Sequence, residues 1–162
     1  MRLVLFCPEI AQNAGAATRA AACFGAELHI IEPCGFPLDA KGFKRTAMDY
    51  GLLAPPTVHS SWQAFDTHRH ESPGRLVLMT TKASESLWAS QLTPNDYIFI
   101  GRESAGVPDW LHERADLRVR IPISEGARSL NAATTAAIAL AEARRQQATM
   151  VLAAKTQGQD AE

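Results

Sequence analysis

RLVLFCPEIAQNAGAATRAAACFGAELHIIEP, residues 2–33, places two short apolar runs on either side of a longer stretch of small residues. RLVLF (2–6) and LHIIE (28–32) are rich in Val, Ile, Leu and Phe and read as strands. Residues 12–24 between them read as a helix, with Gly25 placed to close it from the left-handed region. Strand, crossover helix and second strand make the βαβ unit of a parallel sheet.

The alternation continues outward. RLVLMT (75–80), YIFIG (97–101) and LRVRIPI (117–123) are further strand-like runs, and VHS (58–60) is a weaker sixth. Helical patterns cover 40–49, 61–68, 108–115 and 130–148, with Pro108 suited to a first helical turn and Ser129 a candidate N-cap. The expected fold is α/β, a mostly parallel sheet with helices on both faces, because near-continuous apolar strands are covered on both sides. A single domain is expected over 1–150, followed by a polar, flexible tail over 151–162.

The chain has 162 residues, 46% apolar and 20% charged, which suits one globular domain with a sizeable core. A formal net charge of −1 argues against tight non-specific nucleic-acid binding but leaves room for a local basic patch. Cys7, Cys23 and Cys34 lack CxxC spacing and read as reduced core residues of a cytoplasmic protein. The N-terminal apolar run ends at Pro8 and is expected to be a first strand, not a signal peptide. No apolar run approaches the roughly 20 residues that span a membrane, so no membrane partner is expected. The five histidines form no HExxH motif, His68 and His70 fall in a polar stretch that reads as a solvated loop, and no metal is expected.

Open α/β sheets bind ligands beyond the C-terminal ends of their strands. Four segments fall there: CPEIAQNAGAATR (7–19), MTTK (79–82), GRESAGVP (101–108) and IPISEGARSLNAA (121–133). None is a GxGxxG or a GxSxG, which speaks against a dinucleotide fingerprint and a serine hydrolase. Taken singly, Gly101 and Gly106 read equally well as turn-formers, and Asn131 as an ordinary first-turn residue.

Arg19 is the exception. It is the one charged residue between Glu9 and Glu27, and at 3.6 residues per turn it shares a face with Gly15 and Cys23. A guanidinium on so small and uncharged a face needs an anion, a carbonyl or a cleft. A salt bridge to Glu9 or Glu103 is the structural alternative to a functional role. The small residues on this helix, and on NAATTAAIALAEA (131–143), fit either close internal packing or a helix–helix contact between subunits.

Three of these segments, in this order, resemble the motifs of the SPOUT superfamily of RNA methyltransferases. PEIAQNAGAATRAAACFGAELHIIEPCGF resembles the first, FIGRESAGVP the second and VRIPISEGARSLNAATTAAIALAE the third, with RTAMDYG (45–51) between them. The likeness spans about residues 2–147 and is stronger to the small single-domain tRNA 2′-O-methyltransferases of the wobble position.

The resemblance implies an α/β fold whose C-terminal part is tied in a deep trefoil knot, and a homodimer whose active sites use both subunits. It implies methyl transfer from S-adenosylmethionine to the ribose 2′-hydroxyl of the wobble cytidine or 5-carboxymethylaminomethyl-uridine in the anticodon stem-loop of leucine tRNA. By position, Met79, Thr80, Gly101, Glu103, Ile121, Ile123, Ser129, Leu130 and Ala133 are implied to hold S-adenosylmethionine. Arg19 is implied to act on the hydroxyl, with Asn13 and Asn131 shaping the site and Lys41, Lys44 and Arg45, together with Arg19 and Lys82, meeting tRNA. The chain departs from relatives in carrying Ala141 near a place often aromatic, and Arg102 and Ala105 within the second motif. Another tRNA or rRNA site, or a non-catalytic RNA-binding or assembly role on the same fold, are the alternatives.

Overall fold

A computed structural model describes the backbone of residues 1–159 and the side chains of residues 1–149 and Val151. Seven strands are described: β1 (Arg2–Phe6), β2 (Glu27–Ile31), β3 (Thr57–His59), β4 (Leu76–Met79), β5 (Glu85–Ser86), β6 (Tyr97–Ile100) and β7 (Leu117–Arg120). They form one sheet in the order β3-β2-β1-β6-β4-β7-β5, and each neighbouring pair is parallel. Six helices are α1 (Ala11–Phe24), α2 (Lys41–Ala47), α3 (Tyr50–Leu53), α4 (Trp62–Glu71), α5 (Asp109–Arg114) and α6 (Ala132–Gln159).

Successive strand residues feed opposite faces. Leu3, Leu5, Val77, Met79, Ile98 and Ile100 pack with α1, α2 and α6, whereas Val4, Phe6, Leu76, Leu78, Tyr97 and Phe99 pack with α4 and α5. That two-sided burial is why the strands read as unbroken apolar runs. The entry to β6 is fixed by Asp96, 1% exposed, which accepts from Arg75 Nε at 2.9 Å and Nη2 at 2.7 Å.

Several boundaries differ from the sequence reading. Gly25 does end α1, at φ 63. The helix expected over 40–49 stops at Ala47, where Met48 adopts φ 54, and a separate short α3 follows. Pro108 precedes α5 as its N-cap residue instead of sitting in its first turn. The stretch read as a solvated loop at His68 and His70 is helical: Ser61 Oγ accepts from the Ala64 amide and starts α4, which runs on to Glu71 around the buried Phe65. β5 was invisible in sequence because Glu85 and Ser86 carry no apolar pattern. LRVRIPI is a strand only to Arg120, and residues 121–123 leave the sheet as loop. α6 continues past 148 to Gln159, through most of the stretch expected as a tail; residues 160–162 lie outside the described residues.

Candidate active site

The loops after β4, β6 and β7 converge beyond the C-terminal ends of these strands on a cavity of about 310 Å³. Its wall contains Met79, Thr80, Gly101, Glu103, Ile121, Ile123, Ser129 and Leu130. Ala133 is not in the wall; its neighbours Ala132 and Thr135 are. The volume lies within the range of small-molecule sites, and the lining mixes apolar side chains with a few polar groups. Among the described residues, the backbone of 121–123 and 128–130 makes no hydrogen bond within the chain, so its C=O groups, and its N–H groups other than at Pro122, which has none, are free for a ligand.

Gly101 keeps the wall thin. A Cβ there would lie 2.6 Å from the Gly106 carbonyl carbon, because the loop folds back with Arg102 and Gly106 exchanging backbone hydrogen bonds of 2.9 Å each. Gly106 itself adopts φ +67, a conformation side chains resist.

A chain of side-chain hydrogen bonds joins the β1–α1 segment to the loops after β6 and β7. Glu103 accepts from the Glu9 amide at 2.9 Å and from Asn13 Nδ2 at 3.0 Å. Glu9 in turn accepts from the Ser104 amide at 2.9 Å and its hydroxyl at 2.8 Å, and these two bonds hold the Glu9 carboxyl below its ordinary range. Asn13 Oδ1 accepts from Asn131 Nδ2 at 2.7 Å. Asn131 Oδ1 accepts from the Ala133 amide at 2.8 Å and the Thr134 amide at 3.3 Å. Asn131, not Ser129, therefore caps α6: the helix begins at Ala132, and only a residue directly before it can reach these amides.

Arg19 and the α2 cations stand apart from this cavity within one chain. Arg19 is exposed, donates to Met48 Sδ at 3.2 Å and sits 5.7 Å from the Tyr50 ring centroid. No carboxylate among the described residues lies within 4.0 Å of it, and Glu9 and Glu103 are engaged elsewhere. Lys41, Lys44 and Arg45 are exposed on α2, which meets α1 where Gly15 abuts Thr46 and the Phe43 carbonyl.

Arg102, Arg120, Arg128 and His112 also line the cavity and were not singled out from sequence for this site. A signal existed: in LRVR, Arg118 and Arg120 alternate with apolar residues, which a strand buried on both faces would not allow. Among the described residues, no three His, Cys, Asp or Glu side chains gather to hold a metal ion, and no helix is long and apolar enough to cross a membrane.

Residues 1–141 match the SpoU rRNA methylase family. A protein of Ancylobacter novellus named tRNA (cytidine(34)-2′-O)-methyltransferase is 49% identical over 146 residues, covering 90% of this chain and 92% of its own. A solved structure concerned with 2-OH methylation of C/U34 on tRNA has a TM-score of 0.87 and 35% identity, covering 91% of this chain and 96% of its own. The SpoU methyltransferase AviRb of Streptomyces viridochromogenes, solved in complex with AdoMet, has a TM-score of 0.82 and 26% identity, covering 92% of this chain and 61% of its own.

Proposed function

We propose that this chain, which belongs to the SpoU rRNA methylase family, methylates the ribose 2′-hydroxyl of the wobble nucleotide of tRNA, with S-adenosylmethionine as donor. What carries the reading is Asn13 of α1, which ties the loops after β6 and β7 together by bonding both Glu103 and Asn131 beside one cavity. The full-length likeness to a tRNA cytidine-34 enzyme supports the substrate.

S-adenosylmethionine supplies an electrophilic methyl on a sulfonium. The cavity fits such a donor: free backbone groups at 121–123 and 128–130 offer hydrogen bonds to its polar parts, and Met79, Ile121, Ile123 and Leu130 offer apolar surface. Thr80, Gly101, Glu103 and Ser129 complete the wall we assign to it, while the role of Ala133 is as a capped amide.

Arg19 we assign to the acceptor. A guanidinium with pKa above about 12 cannot serve as a base at neutral pH. It binds the phosphate next to the ribose and holds the hydroxyl in line, a positioning effect, and the proton leaves to that phosphate or to solvent. Within one chain Arg19 faces Met48 and Tyr50, away from the cavity wall. A homodimer in which one subunit's Arg19 meets its partner's cavity resolves that separation. Lys41, Lys44 and Arg45 then extend the tRNA-facing surface.

The same reading places the protein in the cytoplasm and gives it a C-terminal trefoil knot. In support, β7 lies between β4 and β5, and α6 beyond it fastens to the 80–96 segment: Gln146 donates to the Ser90 carbonyl at 3.0 Å and accepts from the Leu92 amide at 2.8 Å. The wobble cytidine or 5-carboxymethylaminomethyl-uridine of leucine tRNA is the proposed target. Mass analysis of tRNA nucleosides from cells with and without the gene tests this. Loss of a 2′-O-methylated wobble nucleotide is expected, and its persistence in the deletion strain would refute the proposal.

A further inference from the structure

Five arginines are paired with the protein's own carboxylates. Arg2, Arg69, Arg75, Arg114 and Arg145 are paired with Glu27, Asp66, Asp96, Asp66 and Glu142, and none of the five lines the cavity. Arg102, Arg120 and Arg128, together with Lys82, do line it, and none has a carboxylate within 4.0 Å among the described residues. Arg19, Arg45 and Arg144 also lack acidic partners among the described residues, but the cations here converge on a cavity, and that convergence marks a site for an external anion.

A second cavity, of about 480 Å³, adjoins the first and shares Thr80, Lys82 and His112 with it. Arg118 lines this second space, and Arg120, two residues on along β7, lines the first. Val119 between them is buried in the core that packs with α1 and α6, so both arginines project from the opposite face, beside α5. Arg118 is steadied there by donating to the His112 carbonyl at 3.0 Å. Residues two apart on a strand put their side chains about 7 Å apart. Asp116, which accepts from the Leu76 amide at 2.7 Å, and Glu103, which accepts from Glu9 and Asn13, stand nearby, but neither lies within 4.0 Å of a cationic nitrogen of Lys82, Arg118 or Arg120. Glu85, exposed on β5, is the carboxylate left.

We propose that Lys82, Arg118 and Arg120 form a track for an RNA phosphodiester backbone, running from the rim of the first cavity into the second. The track lies on the α5 face of the sheet, opposite the face that carries Arg19 and the α2 cations of the same chain. Hydroxyls of Thr80 and Ser84 line the same path and can donate to phosphate oxygens. The proposal rests on the RNA-methyltransferase reading for its ligand and on the unpaired cations for its location.

The test uses the full chain, a fluorescein-labelled tRNA anticodon stem-loop and anisotropy titrations at several salt concentrations. R118E is expected to weaken binding at least tenfold. R118Q, the milder change, is expected to lower the slope of log K against log salt by about one phosphate contact, close to 0.7 for a single strand. S-adenosylmethionine affinity, read by calorimetry on the R118E and R118Q samples, reports an intact first cavity, which Arg118 does not line. Wild-type RNA affinity and salt slope in both R118Q and the K82Q/R118Q/R120Q variant would overturn the track. If the wild-type protein binds the stem-loop with the expected cation dependence yet methylates no tRNA, the methyltransfer reading fails and the track stands. If it methylates tRNA while the variants bind unchanged, the track alone fails.

Discussion

Asn131 donates to Asn13 through its amide at 2.7 Å while its carbonyl oxygen caps the first amides of α6, so one side chain ties the third loop to α1 and starts a helix. The two roles separate by substitution. Asn131→Ala removes both, and the lost cap costs about 1 kcal/mol, roughly 2–4 °C in Tm for a chain of this size. Asn131→Asp keeps the cap but sets a carboxylate against Asn13 Oδ1. Asn13 cannot turn its amide round without facing its oxygen to Glu103. Asn131→Asp is therefore expected to melt near wild type and to lose methyl transfer about tenfold or more, which corresponds to one broken hydrogen bond of about 1.4 kcal/mol. Thermal melts and single-turnover rates on one preparation check this, and equal melting losses in both variants would contradict it.

Arg19 has no acidic partner among the described residues, so Arg19→Ala is expected to leave Tm unchanged. Losing a charge-assisted hydrogen bond of about 1.5–3 kcal/mol should lower kcat/KM by roughly tenfold to 150-fold. Arg19→Lys should recover little, since a point charge does not reproduce the planar fork on phosphate. Calorimetry should give wild-type affinity for S-adenosylmethionine in both. Full methylation by Arg19→Ala would remove the assignment.

Much of this was legible because the sheet is buried on both faces and its strands are therefore continuous apolar runs. The loops after β4, β6 and β7 could be found from strand ends alone. What escaped had local causes. Met48 breaks α2 from α3 through a backbone angle its residue type does not advertise. Ser129 outranked Asn131 as a cap because both are good capping residues and only the helix start decides between them. His68 looked solvated because its polar neighbours hide a helix anchored by Phe65. Arg118 and Arg120 lie far in sequence from Lys82 and meet it only through the β4–β7 pairing.

Two glycines separate packing from binding. Gly101→Ala would drive a methyl group into Gly106 backbone, which has no free side chain to yield. Loss of S-adenosylmethionine affinity is expected, with destabilisation of about 1–3 kcal/mol. Gly15→Ala would meet Thr46 and the Phe43 carbonyl and push α2 from α1. It should destabilise by a similar amount yet leave donor affinity near wild type in the folded fraction. Calorimetry below the melting transition distinguishes them, and donor binding retained by Gly101→Ala would show that the loop is free to move aside.

His29 and His59 give the fold an acid limit. The His29 ring is 1% exposed, its Nδ1 lies 3.0 Å from His59 Nε2, and its own Nε2 has no hydrogen-bond partner. Burial, then the adjacent His59 and His68 rings, push His29 from its ordinary 6.5 down to about 4, and burial followed by His68 lowers His59 as well. A charged His29 would sit in a buried site where Glu27 Oε2, 3.9 Å from Nε2 and itself largely exposed, offsets only part of the cost. In the unfolded chain both rings titrate near 6.5, so between 6.5 and about 4 the unfolded state takes up protons that the folded state refuses. This stabilisation is complete above 6.5 and is lost as pH falls toward 4, by as much as about 3 kcal/mol for His29. Asp96 acts in a separate window below its ordinary 3.8, since hydrogen bonds from Arg75 and Thr93 outweigh the burial that alone would raise it. Urea midpoints at pH 7.0 and 5.0 measure the effect. The wild-type midpoint should fall at pH 5.0, and the fall should shrink in His29→Gln, whose side chain does not titrate. Equal falls in the two proteins would assign the acid sensitivity to other groups.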